Sequence, residues 1–190
     1  VALQIFDVSG NKVGSEIVVN TTTTGEQSPD QISALSNGNF IVVYHAEGDA
    51  DSSYIDTLYA QQFDTSGNKV GSEINLGQGL AGGNGAAKVR LADLGSGKFA
   101  VAFNEYDAGY TPSLGIYNYD GSQVSQDFIP FDDDSGDPNY YVGGGAISDM
   151  SLGDGTFVVP YYHYEFSSAS DESRGIVFGQ RYDAQGDKVG

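Results

Sequence analysis

A segment of twelve residues occurs twice in this chain, nearly unchanged. Residues 6–17 read FDVSGNKVGSEI and residues 63–74 read FDTSGNKVGSEI, so the two copies differ only at Val8 and Thr65. Such close repetition is typical of proteins that copy one structural unit along the chain. The repeat therefore constrains the fold more than any single residue does.

Further copies of the repeat can be followed to the end of the sequence. Weaker forms of the duplicated segment are IYNYDGSQV at residues 116–124 and QRYDAQGDKVG at residues 180–190. In a second motif a Leu stands five residues before a Phe, with Gly between them. Its copies are ISALSNGNFIVVY (32–44), VRLADLGSGKFAVAF (89–103) and ISDMSLGDGTFVVPY (147–161). Their leucines are 59 and 58 residues apart, which makes the chain a tandem repeat.

Each repeat predicts four short strands. Strand one is the ISAL-type run, strand two NFIVVY, strand three TLYAQQFD and strand four SEINL. Strand two is apolar at nearly every position, which indicates that both of its faces are covered. Between strands one and two, Gly38, Gly97 and Gly155 supply the positive φ that a tight hairpin needs. The duplicated segment is then the hairpin between strands three and four, in which Asp64 bonds the turn backbone and Gly67 is left-handed.

The strands organise the chain into one repeat domain, 1–190. It comprises a partial unit at 1–20 and units at about 21–76, 77–128 and 129–190. The predicted fold class is all-β, with about three four-stranded antiparallel blades in a β-propeller-like arrangement. Starting with strands three and four and ending with strands one to three is how propellers close their ring. Because propellers typically need four or more blades, we expect either a part of a larger ring or two copies that close one ring by symmetry. A β-prism of three four-stranded sheets is the alternative fold.

Composition excludes several classes of partner. The chain has no Cys, so disulfides and thiolate metal sites are excluded. Its net charge of −18 repels phosphate groups, so neither nucleic acid nor an anionic membrane is an expected partner. No segment approaches the ~20 apolar residues of a membrane span, and we expect no membrane insertion. Because Val1 opens directly into a strand-like run, we expect a mature form or a fragment without a secretory signal.

The repeat also resembles a known family. The segments SALSNGNFIVVY, YAQQFDTSGNKVGSEINL and FGQRYDAQGDKVG are similar to the tandem repeats of about 55 residues in large bacterial secreted proteins of the RTX type, which are calcium-binding surface and adhesin chains. The likeness covers nearly the whole chain. It implies four-stranded propeller blades, an extracellular or bacterial cell-surface location and a binding role, and it supplies no catalytic residue. Departures are Tyr44, Phe103 and Tyr161 where the family carries Trp, and the absence of the glycine-rich calcium-binding nonapeptide.

The predicted connectivity sorts the loops into two groups. Hairpins one-to-two and three-to-four fall at one end of each blade, and they are short and uniform. Connections two-to-three and four-to-one fall at the other end, and they are long and varied. Because function gathers on variable loops carried by a rigid scaffold, we expect the ligand site at the end with the long connections.

Carboxylates cluster in those long connections. Hard oxygen ligands in loops that contain Gly and Ser suit Ca²⁺, which is the expected cofactor. The segment DDDSGDP is the first candidate, because adjacent carboxylates repel unless a cation bridges them, and EGDAD is the second. A solvated acidic loop is the alternative for both. The metal candidates are Asp132, Asp133, Asp134, Asp137, Glu47, Asp49 and Asp51.

Tyrosines share the same connections. Tyr rings beside Asp and Asn side chains form sugar-binding surfaces, and they also suit protein interfaces. Packing between blades is the alternative for these tyrosines, above all for Tyr162. The ligand candidates are Tyr106, Tyr110, Tyr140, Tyr141, Tyr162 and Tyr164. His45 and His163 each follow strand two, where they could bind a transition metal or respond to pH, although lone histidines are more often incidental.

The sequence favours binding over catalysis. It contains no nucleophile elbow, HExxH or P-loop, and its three arginines occupy different repeat positions, unlike the arginine cluster of a sialidase. We expect a non-catalytic extracellular adhesion module, assisted by calcium, that contacts a glycan or an extracellular protein. The alternative is a structural subunit of an extracellular assembly or filament, completed by neighbouring chains through open blade edges. A glycoside hydrolase or sialidase-like propeller ranks behind both.

Overall fold

The structure, a computed structural model, describes residues 1–23, 25–47, 56–80, 89–105, 111–128, 140–143, 154–166 and 173–190. Within these ranges every helix or strand element is a β-strand, and all named strand pairs are antiparallel. The chain divides into two compact units, Val1–Ala86 and Ala87–Gly190. The all-β prediction is confirmed for the described residues. The single repeat domain and the propeller-like arrangement stay predictions.

The first unit contains a hairpin followed by a four-stranded sheet. The hairpin pairs β1 (Ala2–Phe6) with β2 (Lys12–Val18). The sheet contains β3 (Gln27–Ala34), β4 (Phe40–Glu47), β5 (Asp56–Phe63) and β6 (Lys69–Leu80), paired in chain order. These are strands three and four of the predicted partial unit and all four strands predicted within 21–76.

The second unit contains a four-stranded sheet followed by a three-stranded sheet. β7 (Arg90–Gly95), β8 (Lys98–Glu105), β9 (Thr111–Asn118) and β10 (Gln123–Phe128) form another four-stranded sheet in chain order. β11 (Tyr140–Gly143), β12 (Thr156–Phe166) and β13 (Ser173–Asp183) form a three-stranded sheet. An isolated bridge from Tyr182 to Lys188 follows β13.

The last repeat contains a strand that the sequence pattern did not predict. The predicted ISDMSL run, 147–152, lies outside the described residues. The strand that the structure places beside β12 is β11, which pairs with the Tyr162–Glu165 part of β12. Its sequence, YYVG, contains aromatic and β-branched residues that favour strands, but it is absent from the other repeats.

Both copies of the duplicated segment form the same hairpin. In the second copy the Asp64 carboxylate accepts hydrogen bonds from the backbone amides of Ser66 and Asn68, at 2.9 and 2.8 Å. The Gly67 amide donates to the Asp64 carbonyl at 2.9 Å, and Gly67 has a φ of 84°. In the first copy Gly10 has a φ of 81°. The roles predicted for Asp64 and Gly67 are confirmed.

Each hairpin contains a β-bulge at a glutamine, Gln4 or Gln61. The bulge explains why the duplicated segment carries a second glycine, which is Gly71 in the second copy. The pairing register shifts beside Gln61 in β5 and beside Gln4 in β1. The Gln61 Nε2 donates to the carbonyl of Gln62 at 3.1 Å and lies 3.4 Å from the carbonyl of Val70 across the hairpin. Gly71, at a φ of 71°, supplies the left-handed residue at the bulge. The segment is therefore repeated because it encodes a complete bulged hairpin.

Strand two of each four-stranded sheet is buried, as predicted. Residues 41–44 of β4 and 99–103 of β8 are all buried. In three repeats the Phe that begins this strand stacks on the last aromatic residue of strand three. These pairs are Phe40–Phe63, with ring centroids 5.4 Å apart, and Phe99–Tyr117 and Phe157–Tyr182, each 5.6 Å apart.

Within each unit one sheet packs face to face on the next. In the first unit the β1–β2 hairpin covers the buried residues Tyr44 and Phe63 with Leu3 and Ile17. In the second unit apolar residues of β7–β9 and of β12–β13 share one core. The turn glycines Gly67 and Gly186 lie against Ile5 and Ile116, respectively, so equivalent residues make equivalent contacts in the two units.

Candidate functional site

The strand order fixes where the long connections leave each sheet. Residues 48–55 join β4 to β5, residues 106–110 join β8 to β9, and residues 167–172 join β12 to β13. Because neighbouring strands are antiparallel, each of these connections leaves its sheet at the end opposite to the short hairpin between strands three and four. The predicted separation of long and short connections therefore holds within each sheet.

Most of the predicted site residues lie in these connections or in the β10–β11 connection, outside the described residues. They are Tyr106, Tyr110, Asp49, Asp51, Asp132, Asp133, Asp134 and Asp137. Glu47 ends β4, where it pairs with Asp56 at the long-connection end of the sheet. Among the residues that the structure does describe, no three His, Asp or Glu side chains converge on one point. The calcium site stays a prediction.

The other four predicted tyrosines are brought together by strand pairing. In the β11–β12 register, Tyr141 is the direct partner of Tyr164, Tyr140 is the partner of Glu165, and Tyr162 is the partner of Gly143. These positions occupy the end of β12 that leads into residues 167–172. The sequence assigned the tyrosines to two separate connections, because the YYVG strand had no counterpart in the other repeats.

A histidine and an aspartate that the sequence did not connect form a hydrogen-bonded pair in the first unit. The His45 Nδ1 lies 3.0 Å from Asp30 Oδ2, with the Asp30 side chain 5% exposed and the His45 side chain 18% exposed. Asp30 stands at a register shift between Pro29 and Gln31 in β3. A proline inside a strand marks such a bulge, so Pro29 was the available signal. Of the predicted histidine pair, His163 lies in a different unit and pairs with Val142.

A cavity of about 290 Å³ adjoins this hydrogen-bonded pair. It opens between the β1–β2 hairpin and strands β3 and β4. Its lining is apolar apart from Asp30 and Gln31, and its volume is at the lower end of what small-molecule sites occupy. The remaining lining residues are Val1, Ala2, Leu3, Val19, Pro29, Ile32 and Val42. The repeat pattern did not predict this cavity, because it lies between two sheets rather than within one.

Hydrogen bonds to the partly buried Glu73 carboxylate link the segment that follows the β1–β2 hairpin to the four-stranded sheet. The Tyr44 hydroxyl, the Thr21 amide at 2.7 Å and the Thr22 hydroxyl at 3.0 Å all donate to the Glu73 carboxylate. Burial opposes ionisation of Glu73, but the hydrogen bonds outweigh it, so the pKa of Glu73 lies below its ordinary value. Burial, reinforced by the Glu73 carboxylate, raises the pKa of Tyr44 beyond its usual range. This cluster joins the connection between β2 and β3 to strands β4 and β6 and is part of the scaffold.

Comparison with known proteins gives no independent identification: no protein-family model matches the chain, and no curated protein matches it. No helix long and apolar enough to cross a membrane occurs in the portion of the chain that the structure describes. The likeness to RTX-type repeats therefore rests on the sequence motifs alone.

Proposed function

We propose that this chain is an extracellular, non-catalytic binding or adhesion module built from propeller-type repeats of the RTX kind. It contacts a glycan or an extracellular protein through the sheet ends that carry the long connections, and calcium assists the contact. The observation that carries this proposal is the β11–β12 register, which places Tyr141 opposite Tyr164 and Tyr140 opposite Glu165 at such an end.

The contrast between the two ends of the sheets supports this location. At one end the turn around Gly67 repeats the turn around Gly10 almost bond for bond, with the same amide and carboxylate partners. Because these hydrogen bonds fix the conformation of both turns, the turn residues have little freedom to vary for ligand specificity. The connections at the other end differ in length and sequence between repeats, which suits recognition by loops on a rigid scaffold.

The chemistry of the tyrosine-rich end favours a carbohydrate as the first ligand to test. Tyr rings pack on the apolar C–H faces of sugars, and carboxylates such as that of Glu165 accept hydrogen bonds from sugar hydroxyls. Acidic residues in the neighbouring connections would be held together by Ca²⁺, which prefers such oxygen ligands. The propeller-type arrangement is supported by the two four-stranded antiparallel sheets and by the equivalent sheet-on-sheet contacts in each unit.

Isothermal titration calorimetry tests the calcium part of the proposal. Titration of Ca²⁺ into the wild-type chain should give a saturable isotherm. In a variant with Asp132, Asp133 and Asp134 replaced by Asn, the isotherm should be lost, whereas Asp7→Asn at the short hairpin should leave it unchanged. A wild-type chain that binds no Ca²⁺ would remove calcium from the proposal without affecting the ligand site.

An array of glycans and extracellular matrix proteins tests the binding role itself. The wild-type chain should give a selective signal that weakens when Ca²⁺ is chelated. A chain that binds nothing on the array would favour the structural-subunit alternative. Release of free sugar from a bound glycan would contradict the non-catalytic assignment and support a glycoside hydrolase.

A further inference from the structure

The two sheets of the second unit pack on each other with their ends aligned. Their shared core contains Phe157 and Val159 of β12 together with Ala102 of β8. At the short-hairpin end, the Lys98 Nζ at the start of β8 donates to the carbonyl of Ala184, just after β13, at 3.2 Å. The long connections of both sheets therefore leave at the opposite end, side by side.

Polar residues continue the core-facing side of the last sheet toward its long connection. β12 pairs with β13 without a register shift, and successive residues of a strand alternate between its faces. His163 and Glu165 therefore stand on the same face of β12 as Phe157. The direct partners of Glu165 are Tyr140 in β11 and Arg174 in β13, and directly opposed residues share a face.

The facing side of the four-stranded sheet changes in the same way. Arg90 of β7 is the direct partner of Ala102, and Asp127 of β10 is the direct partner of Leu114. Ala102 and Leu114 both belong to the shared core, so Arg90 and Asp127 stand on its side of the sheet. β11 also lies against β9, so the two sheets still face each other here. We call this set the polar end of the second unit: Arg90, Asp127, Tyr140, His163, Glu165 and Arg174.

The polarity of β12 at this end is the reverse of what a packed sheet usually shows. Antiparallel sheets commonly place apolar residues toward the core and polar residues outward. In this part of β12, His163 and Glu165 stand on the core-facing side, whereas Tyr162 and Tyr164 stand on the other side. Polar groups are therefore gathered between the two sheets, where the apolar core ends.

The charges of the polar end are balanced. Arg90 and Arg174 are positive, and Asp127 and Glu165 are negative. The chain as a whole has a net charge of −18, and these are two of its three arginines. The polar end therefore offers both donors and acceptors without the excess of negative charge that characterises the rest of the chain.

We propose that the polar end of the second unit is the glycan site and that its ligand is an uncharged glycan. Sugar hydroxyls both donate and accept hydrogen bonds, so they suit guanidinium donors that stand beside carboxylate acceptors. Tyr140 supplies an aromatic ring for a C–H face of the sugar. An acidic glycan would instead be repelled by the negative chain. This inference rests on the proposed function, to which it adds the position of the site and the class of glycan.

Two adjacent tyrosines provide a matched pair of variants. Tyr140 pairs with Glu165 and stands on the core-facing side of β11, whereas Tyr141 pairs with Tyr164 and stands on the other side. The probes are neutral oligomers of glucose, mannose, galactose and N-acetylglucosamine, with hyaluronan and heparin oligosaccharides as acidic probes. In calorimetric titrations with the neutral oligomer that the wild type binds best, Tyr140→Ser should weaken binding about tenfold and Tyr141→Ser should leave it within about twofold.

Two arginines test whether both sheets contribute to the site. Arg90 lies at the polar end, in the sheet that faces Tyr140, whereas Arg181 lies at the short-hairpin end, 2.7 Å from the Asp154 Oδ2. Arg90→Gln should weaken binding about tenfold, and Arg181→Gln should leave it within about twofold. The urea midpoints of Tyr140→Ser and Arg90→Gln should stay close to that of the wild type. If either midpoint falls, Glu165→Gln takes the place of that variant, with the same expected loss of binding.

The possible results separate this inference from the proposed function. Equal effects of Tyr140→Ser and Tyr141→Ser, or a loss of binding with Tyr141→Ser alone, would overturn the site at the polar end and leave the proposed function standing. So would binding of an extracellular protein without any glycan. Preference for hyaluronan or heparin oligosaccharides would overturn the class of glycan. A wild-type chain that binds neither glycan nor protein would overturn both the inference and the proposed function.

Discussion

A pair of glycine substitutions can measure how tightly the β1–β2 hairpin packs on the four-stranded sheet. Gly10 and Gly67 occupy the same position of the same turn, with φ of 81° and 84°. A Cβ added at Gly10 would have nothing within 4 Å. A Cβ added at Gly67 would lie 2.2 Å from the Ile17 Cδ1 and 3.2 Å from the Ile5 Cδ1. Alanine at the two positions therefore carries the same backbone strain but meets different surroundings.

The expected magnitudes follow from these surroundings. Left-handed backbone costs a residue with a Cβ about 1 kcal/mol, and this applies to both Gly10→Ala and Gly67→Ala. Overpacking adds roughly 1–3 kcal/mol, and the low end applies here because the Ile17 Cδ1 is the tip of a flexible side chain. We expect Gly10→Ala to lower the free energy of unfolding by about 1 kcal/mol and Gly67→Ala to lower it by about 2 kcal/mol.

Urea denaturation followed by circular dichroism provides the assay. The two variants should keep the m-value of the wild type and differ in their midpoints. Ile17→Val removes the methyl group that clashes, so it should cost less in the Gly67→Ala background than in the wild type. Equal destabilisation by the two alanine substitutions would refute the reasoning, because it would mean that the hairpin does not pack on the Gly67 turn.

Further predictions concern single side chains. Because the pKa of Glu73 is lowered, its stabilising effect should be complete above its ordinary value of 4.5 and lost as the pH falls through its folded-state pKa. Glu73→Gln should therefore lower the urea midpoint at pH 7 and make it less sensitive to acid, whereas Glu16→Gln, its repeat equivalent, should leave the midpoint at pH 7 unchanged. Phe63→Ala should cost about 3 kcal/mol in the same titration, whereas Phe6→Ala should change stability by less than about 0.5 kcal/mol. Asp64→Ala, which removes the acceptor for two turn amides, should lower the midpoint more than Asp64→Asn does.

Each of these predictions has a contradicting result. An unchanged acid profile for Glu73→Gln would show that the carboxylate contributes nothing through its three donors. A large loss of stability for Phe6→Ala would show that the Phe6 ring packs on other residues of the chain. Identical midpoints for Asp64→Ala and the wild type would mean that Gly67 alone determines the turn.

Local chemistry explains which parts of the fold could be predicted from the sequence. The turn at Asp64 and Gly67 depends on residues a few positions apart, so its hydrogen bonds could be predicted before the structure was known. The strands of the two four-stranded sheets follow from their apolar runs and the repeated glycines. The β11 strand could not be predicted, because its YYVG sequence occurs in no other repeat.

The candidate site was less predictable for a related reason. Repetition identifies what the units share, whereas the predicted binding residues lie where the units differ. The hydrogen-bonded pair of Asp30 and His45 depends on a bulge after Pro29 that shifts the register by one residue. The contacts of Glu73 with Thr21 and Thr22 join residues about fifty positions apart, and they exist only because the hairpin packs on the sheet. No local pattern encodes such contacts.

The most direct test of the proposed function compares variants at the two ends of the sheets on one array of glycans and extracellular proteins. One variant replaces Tyr140, Tyr141 and Tyr164 with Ser, and the other replaces Asn37 and Asn68 in the short hairpins with Ser. We predict that the wild type and the hairpin variant bind the same ligand and that the tyrosine variant does not. Loss of binding in the hairpin variant, or unchanged binding in the tyrosine variant, would contradict the assignment of the binding site to the long-connection end.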